Sequence, residues 1–241
     1  MKILVAENYE AMSLAAADMI TAQIKEKPDC VLGLATGGTP VGTYRVLVDR
    51  YQKGALDFSR VTTFNLDEYY PIDTKDSHSY RYFMNDNLFN HVNVPAENIH
   101  IPNGEAEDAD AECENYEKML EAAGGIDLQI LGIGLNGHIG FNEPDHTLVP
   151  ATHKTPLTES TMAANARFFT DGAKMPNSAL TMGMASIFRA RKILLLANGE
   201  AKREILTKLA TGGITTDVPA SLLLLHPDVT IICDKAAAPI L

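Results

Sequence analysis

The residues best suited to acid–base chemistry lie in one loop, residues 132–144. Asn136, His138 and Glu143 can donate, accept or transfer protons, and His138 is the only side chain of the loop that titrates near neutrality. The loop follows an apolar run, residues 126–131, that indicates a buried strand. Glycine-rich polar loops at the carboxyl ends of buried strands are where open α/β sheets bind ligands. The stretch therefore predicts a ligand site.

Part of this loop also matches the G-x-G-x-x-G pattern of dinucleotide sites, through Gly132, Gly134 and Gly137. That pattern opens a helix, and a strand with a terminal acid follows about 20 residues later. Here Gly140 and Pro144 make a poor helix start, and no such strand follows. This context argues against a nicotinamide or flavin cofactor. A purely structural turn with a solvated histidine remains open as an alternative.

A second glycine-rich junction has the composition of an anion site. Thr36, Gly37, Gly38 and Thr39 lie between the apolar run at residues 30–35 and a predicted helix. Free backbone amides and two hydroxyls at such a junction can face a phosphate. The stretch is not a P-loop, because no G-K-[ST] follows it. An ordinary strand-to-helix turn is the alternative.

Two basic residues are candidates for binding the same anion. Lys202 follows the apolar run at 192–197 and lies in the first turn of the next predicted helix. A lysine is unfavourable with the helix dipole there unless an anion is present. Arg167 lies beside two phenylalanines in a polar stretch. An ordinary solvated charge is the alternative for each.

A pair of carboxylates, Asp67-Glu68, follows the predicted strand at residues 61–65. A carboxylate at the tip of a buried strand is well placed to act as a general base. A solvated loop acid is the alternative, since aspartate favours loops.

The elements that must position these residues alternate along the chain. Apolar runs predict strands at 2–6, 30–35, 61–65, 126–131, 192–197 and 229–233. Caps and periodicity predict helices at 9–27, 41–53, 108–123 and 220–225, a helix starting at His78 whose aromatics pack in the core, a Met-rich helix at 177–189, and a helix after 202. This order predicts an α/β fold: a doubly wound, mostly parallel, Rossmann-like sheet with helices on both faces.

Residues 149–174 are polar, rich in Thr and Ala, and weakly periodic. They predict a mobile flap that contains a short helix near residues 160–166. No internal repeat or linker is evident, so residues 1–241 are expected to form a single domain.

The composition excludes several classes of partner. The net charge is −11, from 31 acidic and 20 basic residues, which disfavours nucleic acid and anionic membrane surfaces. We expect no signal peptide, and the sequence has no apolar run of about 18 residues. We therefore expect a cytoplasmic protein.

A metal site is not indicated either. The three scattered cysteines (Cys30, Cys113 and Cys233) form no C-x-x-C pair. His138, Glu143 and His146 could ligate a metal, but their spacing fits no common site. Polar junctions in a parallel sheet share one edge. An anion pocket and acid–base groups at that edge, without a cofactor, are typical of aldose–ketose chemistry on a sugar phosphate.

At this point the chain resembles a known family, the glucosamine-6-phosphate deaminases. The similarity runs nearly end to end, through T-G-G-T-P at 36–40, N-L-D-E-Y at 65–69, S-H-S-Y at 77–80, G-x-N-G-H-I-G-F-N-E-P at 134–144 and G-E-A-K at 199–202. The resemblance implies conversion of glucosamine 6-phosphate to fructose 6-phosphate and ammonia, without metal or cofactor.

The resemblance also implies roles for single residues. Asp67 would move a proton between C2 and C1, while His138 would open the sugar ring with help from Glu143. The Thr36–Thr39 loop, Arg167 and Lys202 would bind the phosphate. Some family members have aspartate where this chain has Asn136, which cannot transfer a proton and would only orient its neighbours.

Two rival functions remain open, a 6-phosphogluconolactonase of the same fold and a sugar-phosphate sensor without catalysis. The resemblance also bears on regulation. Hexameric members bind N-acetylglucosamine 6-phosphate through basic residues in the segment matching 153–156 and through a C-terminal extension. Here Lys154 is the one sure cation of that segment, and no extension follows the final strand. We therefore expect a monomer or small homo-oligomer that this effector does not activate.

Overall fold

The computed structural model describes residues 1–165, 169 and 175–240. Ten strands lie within these residues: β1 (Lys2–Ala6), β2 (Val31–Leu34), β3 (Thr62–Asn65), β4 (Asp67–Tyr70), β5 (Ile99–His100), β6 (Leu128–Leu131), β7 (His153–Pro156), β8 (Ser178–Thr181), β9 (Lys192–Ala197) and β10 (Val229–Asp234). The α-helices of the same residues are α1 (Tyr9–Glu26), α2 (Val41–Gln52), α3 (Tyr80–Asn87), α4 (Ala109–Ala122), α5 (Glu159–Asn165), α6 (Met184–Phe188) and α7 (Arg203–Thr211). Short 3₁₀ helices cover Phe89–His91, Ala96–Asn98, Glu200–Lys202 and Pro219–Leu225.

Seven strands form the main sheet, in the order β1-β10-β9-β6-β2-β3-β5. Every pair in it is parallel. Strands β2, β6 and β10 are buried along their whole length, as the continuous apolar runs predicted. The predicted Rossmann-like α/β sheet is confirmed. The four strands that precede the candidate loops, β9, β6, β2 and β3, are neighbours, so those loops meet at one edge.

A second sheet was not predicted. It consists of β4, β8 and β7, and its pairs are antiparallel. Strand β4 begins at Asp67, directly after Leu66, and Asp67 pairs with Thr181 of β8. The carboxylate pair therefore opens a new strand.

The Met-rich helix predicted at 177–189 is wrong in its first half. Residues Ser178–Thr181 form strand β8, Gly183 follows, and a helix begins only at Met184. All four residues of β8 are buried between its two partner strands. Pairing on both sides satisfies the backbone of this short segment, and this tertiary arrangement overrides its helix propensity.

Side chains cap the first turns of two long helices. Asn8 accepts a hydrogen bond from the backbone N–H of Ala11 at the start of α1, and Asp108 caps α4 in the same way. The helix predicted to start at His78 instead starts at Tyr80, with Ser79 as its N-cap. It also ends early, at Asn87.

The range predicted to be a flap is described in part. It contains β7, which was not predicted, and α5, which agrees with the short helix expected near 160–166. Residues 166–168 and 170–174 lie outside the described residues, so the mobility of this range stays a prediction. Within the described part of the chain, no helix is both long and apolar enough to span a bilayer.

Candidate active site

A cavity of about 460 Å³ opens at the edge where the four candidate loops meet. The sequence-predicted residues that border it are Thr36, Gly37, Gly38, Thr39, Asp67, Asn136, His138 and Lys202. The structure therefore brings together groups that lie more than 160 positions apart in the sequence. Glu143 does not border the cavity but contacts His138 directly.

The loop after β6 folds tightly around the His138 ring. The backbone N–H of Gly134 donates to the carbonyl of His138 at 2.9 Å. A Cβ on Gly134 would lie 2.3 Å from the imidazole carbon Cε1, so only glycine leaves room for the ring at this place. Gly137 has a φ of +87°, a conformation that side chains rarely adopt. The glycines predicted to free the backbone are thus needed for the position of the histidine.

Three polar side chains of this loop form one network. Asn136 Nδ2 donates to Glu143 Oε2 at 2.6 Å, and His138 Nδ1 lies 3.2 Å from the same oxygen. Burial raises the pKa of Glu143, but hydrogen bonds from His138, Thr161 and Asn136 and the charge of His138 outweigh it and bring that pKa to about 2. The ionised carboxylate can only accept. His138 therefore carries its proton on Nδ1, and in the neutral ring Nε2 is left as the acceptor.

Asp67 lies at the start of β4, buried against the same loop. Its Oδ2 is 3.7 Å from the point that a Cβ on Gly140 would occupy. Burial, and then the charge of Glu68, raise the pKa of Asp67 to about 8. A carboxylate with a pKa near the working pH is a stronger base than an ordinary aspartate. The site thus holds two acid–base groups, Asp67 and the His138–Glu143 pair.

Glu68 has a different role from its neighbour, because successive side chains of a strand point to opposite faces. Its carboxylate accepts the backbone N–H groups of Tyr69, Tyr80 and Arg81 at 2.8–2.9 Å. Burial raises the pKa of Glu68 to about 7, although these three hydrogen bonds act to lower it. Glu68 therefore fixes the start of α3 to β4.

The threonine–glycine loop is held in place from both sides. The Thr39 hydroxyl donates to Asn198 Oδ1 at 2.7 Å, which ties this loop to the one after β9. The Tyr9 hydroxyl donates to the carbonyl of Gly38 at 3.1 Å and accepts the N–H of Gly42 at 2.8 Å. Gly37 has a φ of +97°. This loop leads directly into the N-terminus of α2, and its role in binding an anion stays a prediction.

Lys202 lies in the 3₁₀ turn before α7 and borders the cavity. Its ammonium group donates to the carbonyl oxygen of Ile133 at 2.6 Å. This bond holds the lysine against the loop that carries His138. The other predicted cation, Arg167, lies outside the described residues, and its phosphate role stays a prediction.

The sequence interpretation missed one side of the cavity. Residues 77–80 and Phe83, around the start of α3, border it. Two aromatics of this helix, Tyr80 and Phe83, pack against the buried clusters, as expected, and also border the cavity. A signal was available, since S-H-S-Y at 77–80 places a helix cap beside a histidine. Tyr69 and Tyr80 therefore line the same cavity as His138.

The residues weighed as metal ligands do not form a cluster. His146 is exposed and does not border the cavity. Across the described ranges, no group of three or more histidine, cysteine or carboxylate side chains is placed to hold a metal ion.

Comparison with known proteins agrees with this geometry. The family model described as "Glucosamine-6-phosphate isomerases/6-phosphogluconolactonase" matches residues 6–232. The chain belongs to this family. It is 55% identical, over its full length and 95% of the relative, to the glucosamine-6-phosphate deaminase of Thermoanaerobacter pseudethanolicus.

Two solved structures are similar to this fold. A monomeric glucosamine-6-phosphate deaminase, 48% identical, superposes with a TM-score of 0.96 over 98% of both chains. A 6-phosphogluconolactonase from Thermotoga maritima gives a TM-score of 0.78 at 21% identity over 97% of this chain and 99% of its own. At that identity the lactonase shares the fold alone.

Proposed function

We propose that this chain is a glucosamine-6-phosphate deaminase, which converts D-glucosamine 6-phosphate and water to D-fructose 6-phosphate and ammonia. The observation that carries the proposal is that Asp67, His138 and the Thr36–Thr39 loop border one cavity, with Glu143 in contact with His138. A sensor needs the anion site but not both acid–base groups. The relatives of more than 50% identity that bear this name support the same activity.

The phosphate would bind at the rim, on the backbone amides and hydroxyls of Thr36–Thr39 and on the ammonium group of Lys202. Helix α2 begins directly after this loop, so its N-terminal dipole favours the same anion. Arg167 is proposed as a further ligand from the family resemblance. Phosphate binding at the rim would direct the sugar carbons towards Asp67 and His138.

His138 would open the pyranose ring. Its Nε2 takes the proton of the anomeric hydroxyl and returns it to the ring oxygen as the C1–O5 bond breaks, which gives the open-chain aldehyde. Glu143 keeps Nδ1 protonated and stabilises the imidazolium that forms in between. Asn136 bonds the same carboxylate oxygen and orients it, without transferring a proton itself.

Asp67 would then move a proton within the open chain. Its carboxylate removes the C2 proton while O1 takes a proton from the ammonium group at C2, which gives an enolamine, and the carboxyl then delivers its proton to C1. C1 is reduced as C2 is oxidised, so no external oxidant or reductant is needed. Water adds to the resulting imine at C2, and the nitrogen leaves as ammonia.

An enzyme-coupled ammonia assay with glucosamine 6-phosphate tests the proposal. We expect ammonia and fructose 6-phosphate in equal amounts, and loss of both in Asp67→Asn. Hydrolysis of 6-phosphogluconolactone is measured alongside. Lactone hydrolysis without ammonia release would instead indicate a 6-phosphogluconolactonase. Binding of the sugar phosphate without turnover would indicate a sensor without catalysis.

We further propose a monomer or small oligomer with hyperbolic kinetics in the cytoplasm. The similar solved deaminase is described as monomeric. The segment that matches the effector site contains Lys154. Its ammonium nitrogen lies 4.9 Å from the ring centre of Tyr70. We expect no activation by N-acetylglucosamine 6-phosphate. Sigmoidal rate curves that this compound makes hyperbolic, with a hexamer mass by light scattering, would contradict this.

A further inference from the structure

Glu143 is held between two parts of the chain, and each of its carboxylate oxygens serves one of them. Oε2 accepts hydrogen bonds from Asn136 and His138, both in the loop after β6. Oε1 accepts hydrogen bonds from the hydroxyls of Thr158, at 3.3 Å, and Thr161. The carboxylate therefore connects the candidate catalytic loop to the beginning of α5.

The two threonines are themselves connected. Thr158 directly precedes α5, and its Oγ1 accepts the backbone N–H of Thr161 at 3.2 Å. The carbonyl of Thr158 accepts the N–H of Met162 at 2.8 Å, which is the first bond of the helix. Thr158 is thus the N-cap of α5. Thr161 lies in the first turn, is only 6% exposed, and borders the cavity.

The bond from Thr161 has a consequence for His138. The terminal torsion of a glutamate side chain is broad and roughly two-fold, so bonds to one oxygen alone leave the carboxylate plane free to turn. A second bond, to Oε1 from a nearly buried hydroxyl, fixes that plane. The direction in which Oε2 accepts the Nδ1 proton of His138 is then fixed as well.

We propose that Thr161 is a positioning residue for ring opening: its hydroxyl holds the Glu143 carboxylate so that His138 keeps its proton on Nδ1 and Nε2 remains the acceptor for the substrate. The kinetic part of this inference rests on the proposed deaminase activity. The structural part concerns Thr161, Glu143 and His138 alone. Thr158 also bonds Oε1, but it caps α5 as well, so Thr161 gives the cleaner test.

Two substitutions remove the hydroxyl and one retains it. Thr161→Val and Thr161→Ala lack the donor, whereas Thr161→Ser keeps it. Thr211→Val is the matched control, because the Thr211 hydroxyl is exposed on α7 and, among the described residues, bonds only the carbonyl of Thr207. A hydrogen bond to a charged group corresponds to roughly a 10- to 100-fold effect. We expect Thr161→Val and Thr161→Ala to lower kcat by about that factor with KM nearly unchanged, and Thr161→Ser and Thr211→Val to resemble the parent.

Two readouts separate positioning from a merely structural role. A substrate analogue that lacks both O4 and O5 can close neither the pyranose nor the furanose ring, so the loss caused by Thr161→Val should shrink with this analogue. ¹⁵N NMR of the His138 ring should report the Nδ1–H tautomer in the parent and in Thr161→Ser, and a tautomer mixture in Thr161→Val.

Three results would overturn the inference. The first is a kcat equal to that of the parent in folded Thr161→Val and Thr161→Ala. The second is a loss of rate in Thr161→Val that is as large with the analogue as with the pyranose substrate. The third is an NMR spectrum in which the His138 tautomer of Thr161→Val equals that of the parent. If the parent itself releases no ammonia, the proposed function fails instead. The ¹⁵N spectra then still decide whether Thr161 controls the His138 tautomer.

Discussion

Replacing Asp67 with asparagine should remove activity and stabilise the folded protein at the same time. The Asp67 carboxyl is 6% exposed, and its pKa of about 8 lies far above the ordinary value of 3.8. Between these two values the folded state binds more protons than the unfolded state. Stability therefore falls as pH rises from about 3.8 to about 8. At neutral pH the folded protein keeps the Asp67 carboxyl mostly protonated, and the proton uptake that this requires lowers the free energy of unfolding.

The size of this effect follows from the two pKa values. Each pH unit between the ordinary pKa of 3.8 and pH 7 corresponds to about 1.36 kcal/mol. The raised pKa of Asp67 therefore lowers the free energy of unfolding at pH 7 by at most about 4 kcal/mol. Asparagine has nearly the same shape and no charge. We expect Asp67→Asn to raise the free energy of unfolding by about 2–4 kcal/mol at pH 8, or Tm by roughly 5–10 °C, with a much smaller gain at pH 5.

Two measurements on the same variant test this reasoning. Urea unfolding at pH 5 and pH 8 gives the stability difference, and the ammonia assay gives the rate, which we expect to fall by about 10²–10⁴-fold with the loss of a general base. Asp86→Asn is the control, since Asp86 is an exposed residue of α3 and the same change there should alter neither quantity. A gain of equal size at both pH values, or a nearly parental rate, would refute the role of Asp67 as a buried base.

The other expected outcomes concern neighbouring groups of the site. Glu68→Gln should destabilise the fold by about 1–3 kcal/mol in urea unfolding at pH 5, where this carboxyl is already neutral, because the amide nitrogen that replaces one of its two oxygens cannot accept a backbone N–H group; unchanged stability would argue against its structural role. Lys202→Ala should raise KM about tenfold or more and weaken inhibition by inorganic phosphate by a similar factor. Lys208→Ala, on the exposed side of α7, should change neither quantity. Equal inhibition of the two variants by phosphate would show that the phosphate binds elsewhere. His138→Gln should lose most of its rate with the pyranose substrate and recover part of it with the analogue that lacks O4 and O5, and no recovery would assign His138 to a later step.

The local sequence was enough to predict most strands of the parallel sheet. The run at residues 192–197 corresponds residue for residue to β9, because a strand buried on both faces must be apolar throughout. The caps at Asn8 and Asp108 were predictable because each bonds a backbone N–H within three residues. The candidate loop at 132–144 was predictable for the same reason, since its glycines and acid–base groups are close in sequence.

The second sheet could not be predicted in this way. Strands β4, β7 and β8 have four residues each, too few for a periodicity to distinguish a strand from a helix. Strand β8 forms because β4 and β7 lie on its two sides, more than 20 residues away in the sequence. This pairing also places Thr181 beside Asp67.

The sequence by itself determined which groups could do the chemistry: a histidine, two carboxylates, a lysine and a threonine–glycine loop, each at the end of an apolar run. Only the tertiary structure decided what each group does. It separated Asp67 from Glu68 by placing them on opposite faces of β4, and it joined Thr161 to Glu143 across 18 positions. The reason is that type and local spacing are properties of the chain, whereas burial, pKa and hydrogen-bond partners depend on which distant segments pack together.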